Sequence, residues 1–191
     1  ALADRGLQVH ESTGGLGPHT KYYGTFQQFP DCNVITVDDD VLYPRTFAQK
    51  LIDAPPATTI TAYRAHRVVL DDEGIAPYKK WKPVRSAEPS VLHFATGVDG
   101  VRYPKEMVRY VAERGTEFLD LAPRADDVWL NHCALRAGFP VKQVSERSAN
   151  FPLVPGSQRV RLSRVNLSGG NDVQIAATYS AEDVAKLRAA E

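Results

Sequence analysis

The sequence predicts an α/β domain whose mixed central sheet is flanked by helices, and three observations carry that expectation. Short runs rich in β-branched residues alternate with segments of helical period. Proline and glycine punctuate the boundaries between them. No internal repeat, low-complexity tract or linker breaks the order, so residues 1–191 are expected to form one domain. Alternation of this kind suits a layered fold, because each helix must cover a face of the sheet it connects.

The elements follow in order. Residues 33–37, Asn-Val-Ile-Thr-Val, lie between Pro30-Asp31 and three aspartates and predict a buried strand. Pro44 suits a first helical position, and Phe47, Leu51 and Ile52 give the next helix an apolar face before Pro55-Pro56 stops it. Residues 58–63 predict a second strand, 67–70 a third, and 71–74 a hairpin-type turn. Residues 76–90 hold Pro77, Pro83, Pro89 and Trp81 without a period and predict a long surface loop. Residues 91–95 return to strand. Tyr103-Pro104 opens a helix to Arg114, which Gly115 closes. A second helix covers 126–137, with Gly138 as its stop, and 141–144 form a short strand. Ser180 with Asp183 predicts a capping box for a final helix to about Ala189. Val34, Ile35, Val37, Ile60, Leu92, Phe94, Leu130 and Leu135 are the expected core.

Composition narrows the function classes. The 23 basic and 23 acidic residues cancel, so no global field favours nucleic acid or an anionic membrane. Any phosphate must meet a local cluster instead. No apolar run approaches the ~20 residues that span a bilayer, and residues 1–10 carry charges without a signal-type apolar stretch. Cys32 and Cys133 lack metal-type spacing and lie in apolar segments, which predicts two buried free thiols rather than a disulfide. A reducing cytoplasm is the expected compartment.

Five clusters could carry chemistry. Asp38-Asp39-Asp40 sets three carboxylates at the end of a strand, where they repel unless a cation or donors compensate. Strand ends in open α/β sheets are also where ligands bind. Mn²⁺ or Mg²⁺ takes one or two carboxylates plus phosphate oxygens. The plain alternative is a solvated acidic turn. Asp126-Asp127 opens a helix, whose dipole favours the anion a general base needs, although an N-cap followed by an acidic first turn would look the same. In residues 63–67, alternation sets Arg64 and His66 on one face, which could meet a diphosphate or simply edge a sheet. Residues 14–21 are glycine-rich and end in Lys21, but lack the Gly-Lys-Ser/Thr ending of a P-loop. Thr96-Gly97-Val98-Asp99-Gly100 follows a strand, and its glycines suit close backbone approach to a ligand, or a tight turn. There is no Gly-x-Ser-x-Gly elbow, His-Glu-x-x-His pair or Rossmann glycine fingerprint.

Taken in order, the runs PDCNVITVDDDVLYP, TAYRAHRV, FATGVDGVRYP and LAPRADDVWLNHCALRAG resemble bacterial glycosyltransferases of the A-type fold from surface-polysaccharide loci. The resemblance spans about residues 6–179. It implies a nucleotide-diphospho-sugar transferase-like fold, a nucleotide-sugar donor, a glycan acceptor and Mn²⁺ or Mg²⁺. Asp38 and Asp40 match the Asp-x-Asp metal pair, with Asp38 and Asp39 toward the donor. Asp126-Asp127 resembles the acidic pair of inverting enzymes, whose second member, here Asp127, is the general base. Lys21, Arg64, His66, Gly97 and Asp126 complete the expected substrate contacts. Such enzymes open with a strand-helix-strand unit that does not precede Asp38 here, so a domain shortened at its N-terminus is expected. Two alternatives stand beside this one. A nucleotidyltransferase would need a glycine-rich basic signature at the N-terminus, and a non-catalytic carbohydrate- or nucleotide-binding module would need no acid at either motif.

Overall fold

The computed structural model describes residues 2–12, 14–54, 56–157 and 170–191. Its central sheet has four short strands in the order β1-β8-β2-β9, namely Val34–Thr36, Val101–Tyr103, Ile60–Ala62 and Val141–Gln143. β8 pairs antiparallel with both β1 and β2, whereas β2 and β9 pair parallel. β1, β2 and β9 therefore point the same way, and their C-terminal ends share one edge with the start of β8. Asp38, Arg64, Val144 and Asp99 all follow or precede those ends.

A second sheet of order β6-β3-β7 (Lys82–Pro83, Ala65–Arg67, His93–Ala95) is antiparallel. A hairpin pairs β4, Leu70–Asp71, with β5, Gly74–Ile75.

Pleat alternation divides the apolar residues of the central sheet between two layers. Val34, Ile60, Ala62, Val101 and Tyr103 join the main core with Phe26 of α1 (Tyr23–Gln28), Met107, Val108 and Val111 of α3 (Lys105–Glu113), and Val128, Trp129 and Leu135 of α5 (Asp126–Ala137). Ile35 packs instead with Phe47, Leu51 and Tyr63, where α2 (Phe47–Asp53) covers the sheet. The fold is thus α/β with a mixed sheet flanked by helices. A short α4 (Phe118–Leu121) precedes α5, and α6 (Asn171–Thr178) and α7 (Ala181–Arg188) follow. Gly138 ends α5 with φ 76°, a left-handed cap that costs glycine no steric strain. The Ser180/Asp183 capping box is present at α7.

Several expectations need correcting. Val37 is 47% exposed, because β1 ends at Thr36 and the period-2 burial ends with it. Ile35 is only half-buried, and Ile52 faces solvent. The remaining six residues of the expected core are buried. No strand runs through residues 63–67, since the chain leaves one sheet after Ala62 and enters the other at Ala65. Residues 76–90 are a packed insert, with β6 on the second sheet and Ala76, Trp81 and Val84 buried. The indole N–H of Trp81 donates to the Ala76 carbonyl at 2.9 Å, which fixes the insert without any periodic pattern. β8 escapes a periodic search because three residues separate a glycine turn from a proline-capped helix. Both cysteines are free, but Cys32 is exposed. Pro55, expected to stop α2, lies outside the described residues. No helix among the described residues is long and apolar enough to cross a membrane.

Candidate functional site

Four sequence-distant pieces meet at the edge where β1, β2 and β9 end, and Lys21 ties them. Its position is set by His19, whose ring stacks on Phe118 with centroids 3.9 Å apart. His19 Nε2 lies 2.7 Å from the Ala122 carbonyl oxygen, and Nδ1 lies 2.9 Å from the Tyr22 hydroxyl. With His19 locked in the core, the short turn Gly17–Lys21 delivers the lysine ammonium to the sheet edge. Lys21 Nζ donates to Asp38 Oδ1 at 2.6 Å and to the Gly97 carbonyl at 2.8 Å. Burial pulls the ammonium's pKa down, but Asp38, then Asp127 and Asp126, reverse this, and the net shift is upward.

The Gly97 N–H donates to Asp127 Oδ1 at 2.7 Å. A Cβ at Gly97 would stand 2.8 Å from that oxygen and 3.1 Å from Lys21 Nζ, so only glycine leaves the contact undisturbed. Asn131, one helical turn beyond Asp127, locks the helix to the loop. It accepts from the Ala95 N–H at 2.9 Å and donates to the carbonyls of Ala95 and Asp127, each at 2.8 Å.

Asp127 is a carboxyl under opposing influences. Burial first, then the adjacent Asp126 charge, push its pKa up to about 8, against Lys21 and the Gly97 N–H. Burial also raises Asp126. The helix N-terminus was expected to keep Asp127 ionised, but that effect is worth about 0.3–1 kcal/mol and burial outweighs it. Asp126 is not the N-cap either. Ala125 holds that position, and no side chain caps the helix.

The other predicted residues take distinct places. Asp38 is half-buried, its N–H donates to the Tyr43 hydroxyl at 2.9 Å, and its Oδ2 is buried without a hydrogen-bond partner. Asp39 is exposed. The Asp40 carbonyl accepts from the Val154 N–H at 2.8 Å, beside a bridge between Val41 and Leu153. Arg64 sits at the junction between the two sheets, and its charge bears on Asp99, His66 and Tyr78. His66 Nδ1 lies 3.1 Å from the Tyr78 hydroxyl, and burial followed by Arg64 lowers its pKa. Asp127 in turn helps raise Tyr78 to about 12, after burial.

Among the described residues, no group of three or more His, Cys, Asp or Glu side chains could hold a metal ion. Mn²⁺ or Mg²⁺ shared with a diphosphate needs fewer protein oxygens than that, and the unpartnered Oδ2 of Asp38 is one such oxygen. Asp38 is thus one oxygen ligand that a cation shared with phosphate could use.

Sequence reasoning missed Asn131, Tyr43, Tyr78 and Asp99 as members of the site. Asn131 stands four residues after Asp127, the spacing that puts both on one helix face, and Asp99 lies in the loop already marked by its glycines. Beside the cluster, a cleft of about 540 Å³ is lined by Pro44, Lys50, Tyr63, Lys142, Ser145 and Phe151 among others. Comparison with known protein families, with curated proteins and with solved structures finds no match.

Proposed function

We propose that this chain is the core of a metal-dependent, inverting glycosyltransferase that moves a sugar from a nucleotide-diphosphate donor to a glycan hydroxyl. One observation carries the proposal. Asp38, the Gly97 loop and Asp126-Asp127, far apart in sequence, converge through Lys21 at the C-terminal edge of a mixed sheet. A sheet of parallel strands with one antiparallel member, carrying its acids at that edge, supports an A-type transferase fold.

In this reading the acceptor oxygen attacks the anomeric carbon while Asp127 takes its proton, and the bond to the diphosphate breaks. A carboxyl whose pKa lies near the working pH suits a general base, since it is both available as the anion and strong enough to accept a proton. Lys21 stands ready to meet the departing phosphate. Mn²⁺ or Mg²⁺ held by Asp38 would screen the charge developing there. Arg64, His66 and Asp126 line the donor side, and the neighbouring cleft with Tyr63 and Phe151 offers an aromatic wall to the acceptor.

One observation favours a non-catalytic module instead: Lys21 Nζ is engaged within the chain by Asp38 Oδ1 and the Gly97 carbonyl. Calorimetry with UDP, GDP, CDP and TDP sugars, with and without Mn²⁺, separates the two. Transfer requires one donor to bind in a Mn²⁺-dependent way and then to turn over with an acceptor glycan. Binding with no turnover supports the module, and no binding of any donor rejects both.

A further inference from the structure

The loop between β7 and β8 contains a buried carboxylate. Asp99 has φ 69° and is the one non-glycine with positive φ among the described residues. Its side chain is folded inward, with the residue only 2% exposed. Oδ1 accepts from the Phe151 N–H at 3.1 Å, but Oδ2 is buried and has no hydrogen-bond partner. A buried acceptor left unmatched costs about 1–3 kcal/mol, and a charged one more.

Its counterpart lies across the sheet. β1 and β8 pair Val34 with Tyr103, Ile35 with Arg102 and Thr36 with Val101. Beyond that last pair the two strands part, but Asp38 and Asp99 stay at the same edge, where Lys21 joins Asp38 to the Gly97 carbonyl two residues before Asp99. Asp38 shows the same defect, with Oδ1 taken by Lys21 and Oδ2 buried and unpartnered. Like charges brought close disfavour one another's ionised form. Consistently, burial raises the Asp99 pKa and the Asp38 charge adds to the rise, opposed by Phe151 and Arg64.

Lys21 and Arg64 are the cations whose charge bears on these two acids. Lys21 is already engaged by Asp38 Oδ1 and the Gly97 carbonyl, which leaves both Oδ2 atoms unmatched. A divalent cation can match two carboxylate oxygens at once and brings the positive charge that a diphosphate needs beside acids. We propose that Asp38 and Asp99 together hold a divalent cation of the Mg²⁺ or Mn²⁺ class, with Asp99 in the position that sequence spacing gave to Asp40. Each supplies its unpartnered oxygen, and phosphate and water supply the rest. The assignment rests on the transferase reading only for the source of that phosphate.

The test is binding of Mn²⁺ alone to the full chain, followed by the electron paramagnetic resonance of the free ion. Even outer-shell partners of a metal site cost about 10–100-fold in affinity. Asp99→Asn and Asp38→Asn should therefore each weaken Mn²⁺ by about tenfold or more, while Asp40→Asn stays close to wild type. Asparagine keeps an acceptor for Phe151 and tolerates a left-handed backbone, so Asp99→Asn should melt no lower than wild type without metal. Added Mn²⁺ should raise the melting temperature of wild type and not of Asp99→Asn. Loss of Mn²⁺ binding in Asp40→Asn with Asp99→Asn unaffected would overturn the assignment, as would a wild type that binds no Mn²⁺. If that wild type still binds a nucleotide sugar, the cation site fails and the transferase reading survives. Mn²⁺ binding with the expected variant pattern but no donor binding would leave the site standing and remove the transferase.

Discussion

Asp183, fully buried, and Asp127, half-buried, each sit in the first turn of a helix, yet their proton affinities move in opposite directions. Asp183 is fully buried, and burial alone would raise its pKa. Arg136 Nη2 donates to Oδ2 at 2.9 Å, the Ser180 N–H at 2.8 Å and the Ser180 hydroxyl at 2.9 Å, while Arg136 Nε pairs with Oδ1. Together they reverse the burial effect and hold Asp183 low. Asp127 has the Gly97 N–H and a lysine shared with Asp38, and an acidic neighbour on its own chain. Burial therefore wins there. A first-turn helix position does not decide a carboxyl's state, because the dipole is small beside explicit partners. Asp183 fastens α7 to α5, whereas Asp127, raised to about 8, keeps its proton in a range where an ordinary aspartate has lost it.

The largest effect that sharpens this contrast is on turnover. Asp127→Asn keeps an acceptor for the Gly97 N–H and removes the proton acceptor. Transfer should fall by ~10²-fold or more, the scale for losing a positioned base, while donor affinity and melting temperature hold or rise. Steady-state kinetics with the donor found by calorimetry reads this, and unchanged turnover would break the functional half of the comparison.

Asp183→Ala should do the reverse. Breaking a buried ion pair costs about 3–5 kcal/mol, and the partial exposure of Arg136 places the loss near the lower end, at about 3 kcal/mol. Urea unfolding would show it as a lower midpoint, with turnover per folded molecule unchanged. A loss below about 0.5 kcal/mol, the surface-pair scale, would mean that Asp183 is no more structural than a solvent-exposed charge.

The two acids also differ in how far the sequence announced them. Asp38, Gly97 and Asp126-Asp127 were legible because strand ends and helix starts leave local marks, namely a β-branched run, a glycine pair and acids before an apolar helix. Ser180 with Asp183 was legible as a capping box for the same reason. The clasp with Arg136 and His132 was not, since that pairing crosses from α5 to α7 and no local period encodes it. Asp99 was hidden within a recognised loop, because its importance depends on the β1–β8 register. β8 had to be found before that register could be drawn. The proline-rich stretch 76–90 concealed its packing because Trp81 and Val84 are held by aromatic and backbone contacts to sequence-distant residues such as Phe94, Ala65 and Gln143 rather than by an amphipathic pattern.

The smallest effect, and the most discriminating, lies in the pH dependence of stability. Asp127 is raised, so between the unfolded aspartate value of about 4 and its folded value of about 8 the native chain binds a proton that the unfolded chain has lost. Stability must fall as pH rises through that window. Asp183 is lowered, so it contributes stability above the unfolded value that disappears as pH falls through its folded one. His19 and His93, buried, and His66 and His132, half-buried, are all lowered with burial as the leading cause and add an acid-side loss that begins near the unfolded histidine value of about 6.5. Differences between wild type and each variant remove the part of that background that the substitution does not touch. Wild type minus Asp127→Asn should slope downward from about pH 4 to pH 8, incompletely flattened in the variant because Asp126 and Asp99 are raised too. Wild type minus Asp183→Ala should be flat above about pH 6.5, grow slightly below it because His132 loses the partner that favours its charged form, and shrink only in stronger acid. Urea midpoints measured from pH 3 to 9 give both curves. If the Asp127 curve is level, or the two slopes exchange places, the division between a fastening carboxyl and a proton-holding one is wrong.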